Sequence, residues 1–166
     1  MESDMEQEIN LDCCFTKDNN WFRYRAAAII IENGCILLAN NETSNYYYSV
    51  GGGVHLGETA EKAVLREVYE ETGIKYEIER LAFIHENFFT NGGMFEGLLC
   101  HEIAFYFLMK SKGNQELKSN SYCPEGKEFM NWIPISELNN IEAYPSFFKE
   151  KLPCLTEKVE HIVTQK

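Results

Sequence analysis

Residues 51–74 read GGGVHLGETAEKAVLREVYEETGI, and this stretch decides how the rest of the chain is understood. Its middle carries the marks of a helix. Thr59 suits an N-cap, good helix formers run to Thr72, and Gly73 follows as a C-cap. At about 100° per residue, Ala60, Ala63 and Val64 share a face with Glu67, Glu70 and Glu71, while Leu65 and Val68 are assigned to the opposite side. Like charges three and four residues apart cost a helix about 0.2–0.5 kcal/mol per pair. An acidic cluster that continues a small apolar stripe therefore points to carboxylates gathered at a partly covered site that needs positive charge. Hard oxygen ligands of this kind suit Mg2+ or Mn2+, and magnesium binds through a few carboxylates together with substrate phosphates. The alternative is a solvated acidic helix end.

Composition narrows the field. The chain has 166 residues, 45% apolar and 13% aromatic, enough for one domain with a sizeable core. No apolar run approaches the roughly 18 residues that span a membrane, and the acidic start MESDMEQEIN is unlike a secretory leader, so a cytoplasmic protein is expected. A net charge of −11 argues against a nucleic-acid polymer or an anionic membrane as partner. A small phosphorylated ligand is compatible with it, because a few arginines or a metal supply charge locally. The six cysteines show no C-x-x-C spacing and read as reduced structural thiols.

Along the chain, INLDCCFTKDNN predicts a short first strand closed by a turn. FRYRAAAIII and CILLAN predict a hairpin through Asn33-Gly34. YEIERLAFIHENFF reads as a strand, TNGGMFEG as a loop or hairpin, and LLCHEIAFYFLMK as a strand apolar on both faces, hence central in a sheet. IPISEL, PSFFKEKL and LTEKVEHIV read as short helical pieces. The pattern predicts an α/β fold, a mixed β-sheet between helices.

The run meets a longer pattern, G-x5-E-x7-R-E-U-x-E-E-x-G-U with U bulky aliphatic, at Gly52, Glu58, Arg66, Glu67, Val68, Glu70, Glu71, Gly73 and Ile74. This resembles the box of the Nudix hydrolases (MutT-like), and the resemblance extends over about residues 21–152. It implies an α/β/α sandwich in which the box forms a loop-helix-loop. The domain would occupy 21–166, with 1–20 as an extension that adds a strand. It further implies Mg2+- or Mn2+-dependent hydrolysis of a diphosphate linked to another moiety, such as a nucleoside triphosphate, a nucleotide sugar or an ADP-ribose-like compound. On the matching positions, Glu67 and Glu71 become principal metal ligands and Glu70 a further ligand or the base. A carbonyl of the 51–53 run, Gly52 foremost, faces the metal, and Gly53 lies near substrate. Glu58 and Arg66 form an orienting ion pair. Most such boxes carry a proline before the glycine pair; here Val50-Gly51 stands instead and lengthens the glycine run, which loosens the entry loop.

Outside the box, Glu125 in CPEGKEFMNW resembles the fourth carboxylate of some members, with an ordinary loop charge as the alternative. Glu102 is its rival, though an apolar strand suggests a structural hydrogen-bonding role for it. Arg23 and Arg25 point to one face of a strand and could meet substrate phosphates or solvent equally. Tyr46, Tyr47 and Tyr48, Tyr48 above all, could stack on a base or enter the core, as could Phe88 and Phe89. His55, His85 and His101 read as structural. Substrate choice is expected from loops 40–48, 90–99 and 112–128, and the family habit of dimerising makes a homodimer conceivable. Competing classes are a silent nucleotide-binding module, which should have lost box glutamates, an isoprenoid diphosphate isomerase, and a pyrophosphate-removing enzyme of RNA ends.

Overall fold

The computed structural model describes residues 10–90 and 95–166. Two mixed sheets of six strands each form the scaffold. The first has β1 (Cys14–Lys17), β2 (Asn20–Ile29), β8 (Leu99–Met109), β7 (Ile78–Thr90) and β12 (Glu160–Gln165) in that spatial order, and β6 (Gly51–Gly53) also pairs with β2. The second places β11 (Ala143–Tyr144), β5 (Tyr47–Ser49), β4 (Cys35–Asn41), β10 (Gly126–Pro134) and β9 (Tyr122–Cys123) side by side, with β3 (Ile31–Glu32) on β4. The β2–β8 and β7–β12 pairings are parallel; β7 and β8 run antiparallel.

The two-sided apolar pattern of β2 and β8 explains the layers. Ala26, Ala28 and Ile30 face one core with Phe107 and Met109, and there meet Ala60, Ala63, Val64 and Val68 of helix α1 (Ala60–Thr72). Ala27, Ile29, Ala104 and Tyr106 face the other core, closed by Leu138, Phe147, Phe148 and Leu152. These last come from a 3-10 turn over Ile135–Asn140, from helix α2 (Phe148–Lys151) and from the residues flanking it. Side chains of alternate residues thus bury opposite faces of one sheet, which makes an α/β/α sandwich.

Local chemistry sets the element ends. Thr59 accepts a hydrogen bond from the Lys62 amide, and Gly73 ends α1 at φ 70°. Asn33 and Gly34 both have positive φ, so β3 and β4 meet at the expected hairpin. The first strand also forms, and Leu11 to Cys13 lie against the entry to α1: Cys13 N–H donates to Val54 O and Leu56 N–H to Leu11 O. Residues 1–9 and the 91–94 part of TNGGMFEG lie outside the described residues.

Two expectations need correction. Val68 is buried in the α1 core rather than opposite it. It follows Val64 by four residues, about 40° around the axis, and so remains on the same stripe. The tail of LTEKVEHIV is strand, not helix: β12 alternates half-buried and exposed residues, and its β-branched Ile-Val-Thr run favours the pleated geometry. All six cysteines are free thiols, and no helix among the described residues is long and apolar enough to cross a membrane.

Candidate active site

The glycine strand β6 lies between β2 and α1 because close approach leaves no room for side chains. A Cβ on Gly51 would come within 2.4 Å of Ala26 O and 2.5 Å of the Ala27 Cα, and Gly51 has φ 146°. The third glycine is therefore a packing requirement of β2 against β6, not a looser entry loop. A Cβ on Gly52 would meet the Glu67 carboxylate at 2.5 Å, so Glu67 lies directly against this backbone.

Arg66 organises the box. Its Nε and Nη2 donate to the two oxygens of Glu58 at 3.0 Å each, Nη2 also donates to Gly53 O at 3.1 Å, and Nη1 donates to Glu67 and, at 3.4 Å, to Glu70. Glu58 in turn accepts from the His55 amide at 3.0 Å. These bonds from Arg66 hold the Glu58 carboxyl below its ordinary range and raise the guanidinium further. The fork ties the loop before α1 to the helix surface.

The three glutamates differ in exposure. Glu70 is more than half exposed. Glu67 is mostly covered, and its carboxyl is raised by burial even though Arg66 opposes the shift. Glu71 is 7% exposed. One of its oxygens accepts from Gly51 N–H at 3.1 Å; the other is buried and finds no partner among the described residues. Burial, then the charges of Glu128 and Glu67, push its carboxyl well above the usual carboxylate range. An unpartnered buried carboxylate oxygen beside two further carboxylates is charge left uncompensated. The donor set is all oxygen, which suits a hard divalent cation. As they stand, no three carboxylate, imidazole or thiol groups among the described residues enclose a common point.

Glu128 escaped sequence reasoning. It is buried, accepting from Tyr48 Oη at 2.6 Å and Ser121 Oγ at 2.8 Å. Tyr48 is thereby occupied with a carboxylate, and burial and Glu128 together push its phenol up. The signal was in β10: Glu128 shares its strand face with Met130 and Trp132, which pack on the α1 core while Phe129 is exposed. Glu125, three residues earlier, is exposed in the turn between β9 and β10.

Arg23 and Arg25 do lie on one face of β2, and both line a cavity of 510 Å³. Arg23 donates through Nε and Nη2 to Glu102, a buried acid whose burial cost is outweighed by Arg23 and Arg25, so its carboxyl titrates low. Arg25 donates to Ser49 O at 2.7 Å and Gly51 O at 3.3 Å. It therefore links the cavity to the same strand that Glu71 grips. Tyr46, His85 and Phe89 also line this cavity, whereas Tyr47 packs into the second core and Phe88 stacks on His101 at 4.2 Å. His55 lies 3.4 Å from Asp12 and 3.7 Å from Glu58.

A side-chain-free strand backed by a glutamate helix, locked by a Glu–Arg fork, defines a class of protein. The NUDIX domain model matches residues 22–152. The chain belongs to the Nudix hydrolase family. It is 32% identical over 95 residues to a MutT-like protein of Streptomyces ambofaciens, covering 57% of this chain and 55% of that one. It is 36% identical over 76 residues to diphosphoinositol polyphosphate phosphohydrolase 2 of Rattus norvegicus, covering 43% and 42%. The chain thus spans about half the length of these curated relatives. Among solved structures, the MutT protein of Bacillus halodurans has the same fold, with a TM-score of 0.66 at 18% identity over 86% of this chain and 90% of that one.

Proposed function

We propose that the protein hydrolyses a diphosphate linkage in a small nucleoside diphosphate derivative, with water attacking phosphorus. The observation that carries this reading is the buried oxygen of Glu71 that has no partner among the described residues, set beside Glu67 and Glu128 and against a strand without side chains. Glu67 and Glu71, with the Gly52 carbonyl, would hold Mg2+ or Mn2+, which when bound neutralises phosphate oxygens and makes a water more acidic.

The chain's own residues supply the rest. Arg66 and Glu58 hold the loop and helix in register, so that Glu67 keeps its place against Gly52. Arg25 fixes the Ser49 and Gly51 carbonyls, which sets the orientation of β6 toward substrate. Glu102 is already engaged by Arg23 and is poorly placed to take a proton. Glu70, the exposed carboxylate of the cluster and held by Arg66 only at 3.4 Å, is the base this arrangement favours.

The test is phosphate and pyrophosphate release from nucleoside triphosphates, ADP-ribose, nucleotide sugars and dinucleoside polyphosphates, with Mg2+ and with Mn2+. Turnover of at least one compound, lost in Glu67→Gln with the fold intact, is the expected result. No release from any of them, with metal shown to bind, would make this a silent binding module.

A further inference from the structure

We infer that Asp12, which lies ahead of the Nudix domain, is a positioning residue for the diphosphatase site: it holds the loop between β6 and α1 in register with the Arg66–Glu58 fork. This rests on the diphosphatase reading above and assigns part of that site to a segment outside the domain.

The glycine strand has no side chains of its own, so its placement depends on what its neighbours supply. Arg25 and Glu71 hold Gly51 through its carbonyl and its amide. At the other end of the strand, Gly53 O accepts from Arg66 Nη2 at 3.1 Å. The space where a Gly53 side chain would lie is taken by Asp12, whose carboxylate would come within 2.7 Å of a Cβ there. Only glycine leaves room for that contact.

The backbone of the 11–13 segment fixes Asp12 in this place. Cys13 N–H donates to Val54 O at 2.8 Å and Leu56 N–H to Leu11 O at 2.7 Å, so Asp12 faces His55 in an antiparallel bridge. Cys14 N–H closes back on Asp12 O at 2.7 Å, and Tyr24 N–H of β2 donates to Cys13 O at 2.9 Å. Apolar burial contributes little at this edge, since Leu11 and Leu56 are 55% and 69% exposed. The hydrogen bonds and the Asp12 contacts therefore carry it.

From Asp12 the contacts run inward to the helix. His55 Nε2 lies 3.4 Å from Asp12 Oδ1, while the other ring nitrogen, Nδ1, lies 3.7 Å from Glu58 Oε2. The His55 amide donates to that same Glu58 oxygen at 3.0 Å, and Arg66 Nη2 bridges Glu58 and Gly53 O. Asp12 thus touches both residues, Gly53 and His55, through which the loop meets the fork. Arg66 passes the placement on to Glu67. Asp12 itself is more than half exposed and belongs to neither core, so truncating it opens no cavity. Its effect should reach the site without a large loss of stability.

The experiment compares the native full chain with Asp12→Ala and Asp12→Asn in measurements that need no turnover. In EDTA, solvent exchange of the Arg66 Nε–H, followed by heteronuclear NMR, should be about threefold or more faster in Asp12→Ala, with the Val64 amide of the same helix unchanged. Mn2+ affinity, measured by calorimetry, should fall by about threefold or more. Asp12→Asn keeps the shape and an acceptor for His55 and should restore both. In an Arg66→Ala background, Asp12→Ala should change Mn2+ affinity by less than about twofold, because the route to Glu67 is already cut. Unchanged Arg66 exchange or Mn2+ affinity in Asp12→Ala, exchange raised equally at Val64, absence of rescue by asparagine, or additive losses in the double variant would overturn the proposal. An Arg66 response without turnover of any compound sinks only the diphosphatase reading; turnover without an Arg66 response sinks only this one.

Discussion

Glu71 accepts a 3.1 Å hydrogen bond from the backbone of Gly51 through one carboxylate oxygen and keeps the other buried, with no partner among the described residues. The helix and the glycine strand, twenty residues apart in sequence, are thereby joined at a buried carboxylate that Glu128 and Glu67 crowd with like charge. Stability and activity should pull in opposite directions there.

Glu71→Gln should be more stable than the native protein in EDTA, by about 1 kcal/mol or more, because an uncompensated buried charge is removed. Added Mg2+ should raise the melting temperature of the native protein and leave the variant unchanged. Thermal denaturation with and without metal checks both; a variant less stable than native in EDTA would sink the idea.

Gly51→Ala and Gly52→Ala should fail differently. At Gly51 the added Cβ meets backbone atoms at 2.4–2.5 Å, so the sheet itself must shift, at a cost on the order of 3 kcal/mol. At Gly52 it meets only the Glu67 carboxylate, a side chain that can turn away. The second variant should keep most of its stability and lose activity. Urea titration paired with a phosphate-release assay separates the two.

Arg66→Ala should cost about 10–100-fold in activity without removing any proposed ligand, since Glu67 loses the donor that orients it. Arg66→Lys should rescue little, because an ammonium cannot span both oxygens of Glu58 as the guanidinium does. Recovery of native turnover by the lysine variant would show that charge alone suffices.

Glu128→Gln should lower activity by about tenfold or more, since its charge bears directly on Glu71. Glu125→Gln, in an exposed turn, should change it less than about twofold. The reverse ranking in steady-state kinetics would favour Glu125 as the acid outside the box that completes the site.

Burial pushes the His85 imidazole down to about 4, from 6.5. Between those values the unfolded chain takes up the proton and the folded one does not. This contribution to stability is therefore complete above pH 6.5 and is lost as the pH falls toward 4. His85→Gln lacks the ionisation, so its loss of stability from pH 7 to pH 5 should be smaller, by about 1–2 kcal/mol. Parallel declines in urea-unfolding free energy would refute the assignment.

The helix 60–72, its caps, the Asn33-Gly34 hairpin and the Glu58–Arg66 spacing were legible because each depends on residues within a turn or two of one another. Periodicity also made β8 central, since a strand apolar on both faces must be covered twice. The tail was misread because a short amphipathic segment with little to distinguish its period becomes a strand only when β7 offers it a parallel edge. Glu128 was missed for a related reason. Its meaning comes from Tyr48 across 80 residues and from Glu71 on another element. The same holds for Arg23, whose partner Glu102 is 79 residues away.

The sequence by itself determined the chemistry of the box: which acids lie on the helix, and which arginine can orient them. Only the tertiary structure decided which of those acids is buried, which neighbouring carboxylate presses on it, and what cavity opens beside the glycine strand. Local pattern specifies the ladder of backbone hydrogen bonds and the apolar face of each element. Desolvation and charge–charge interaction depend on what is close in space, and that is settled only when the sheets and helices pack together.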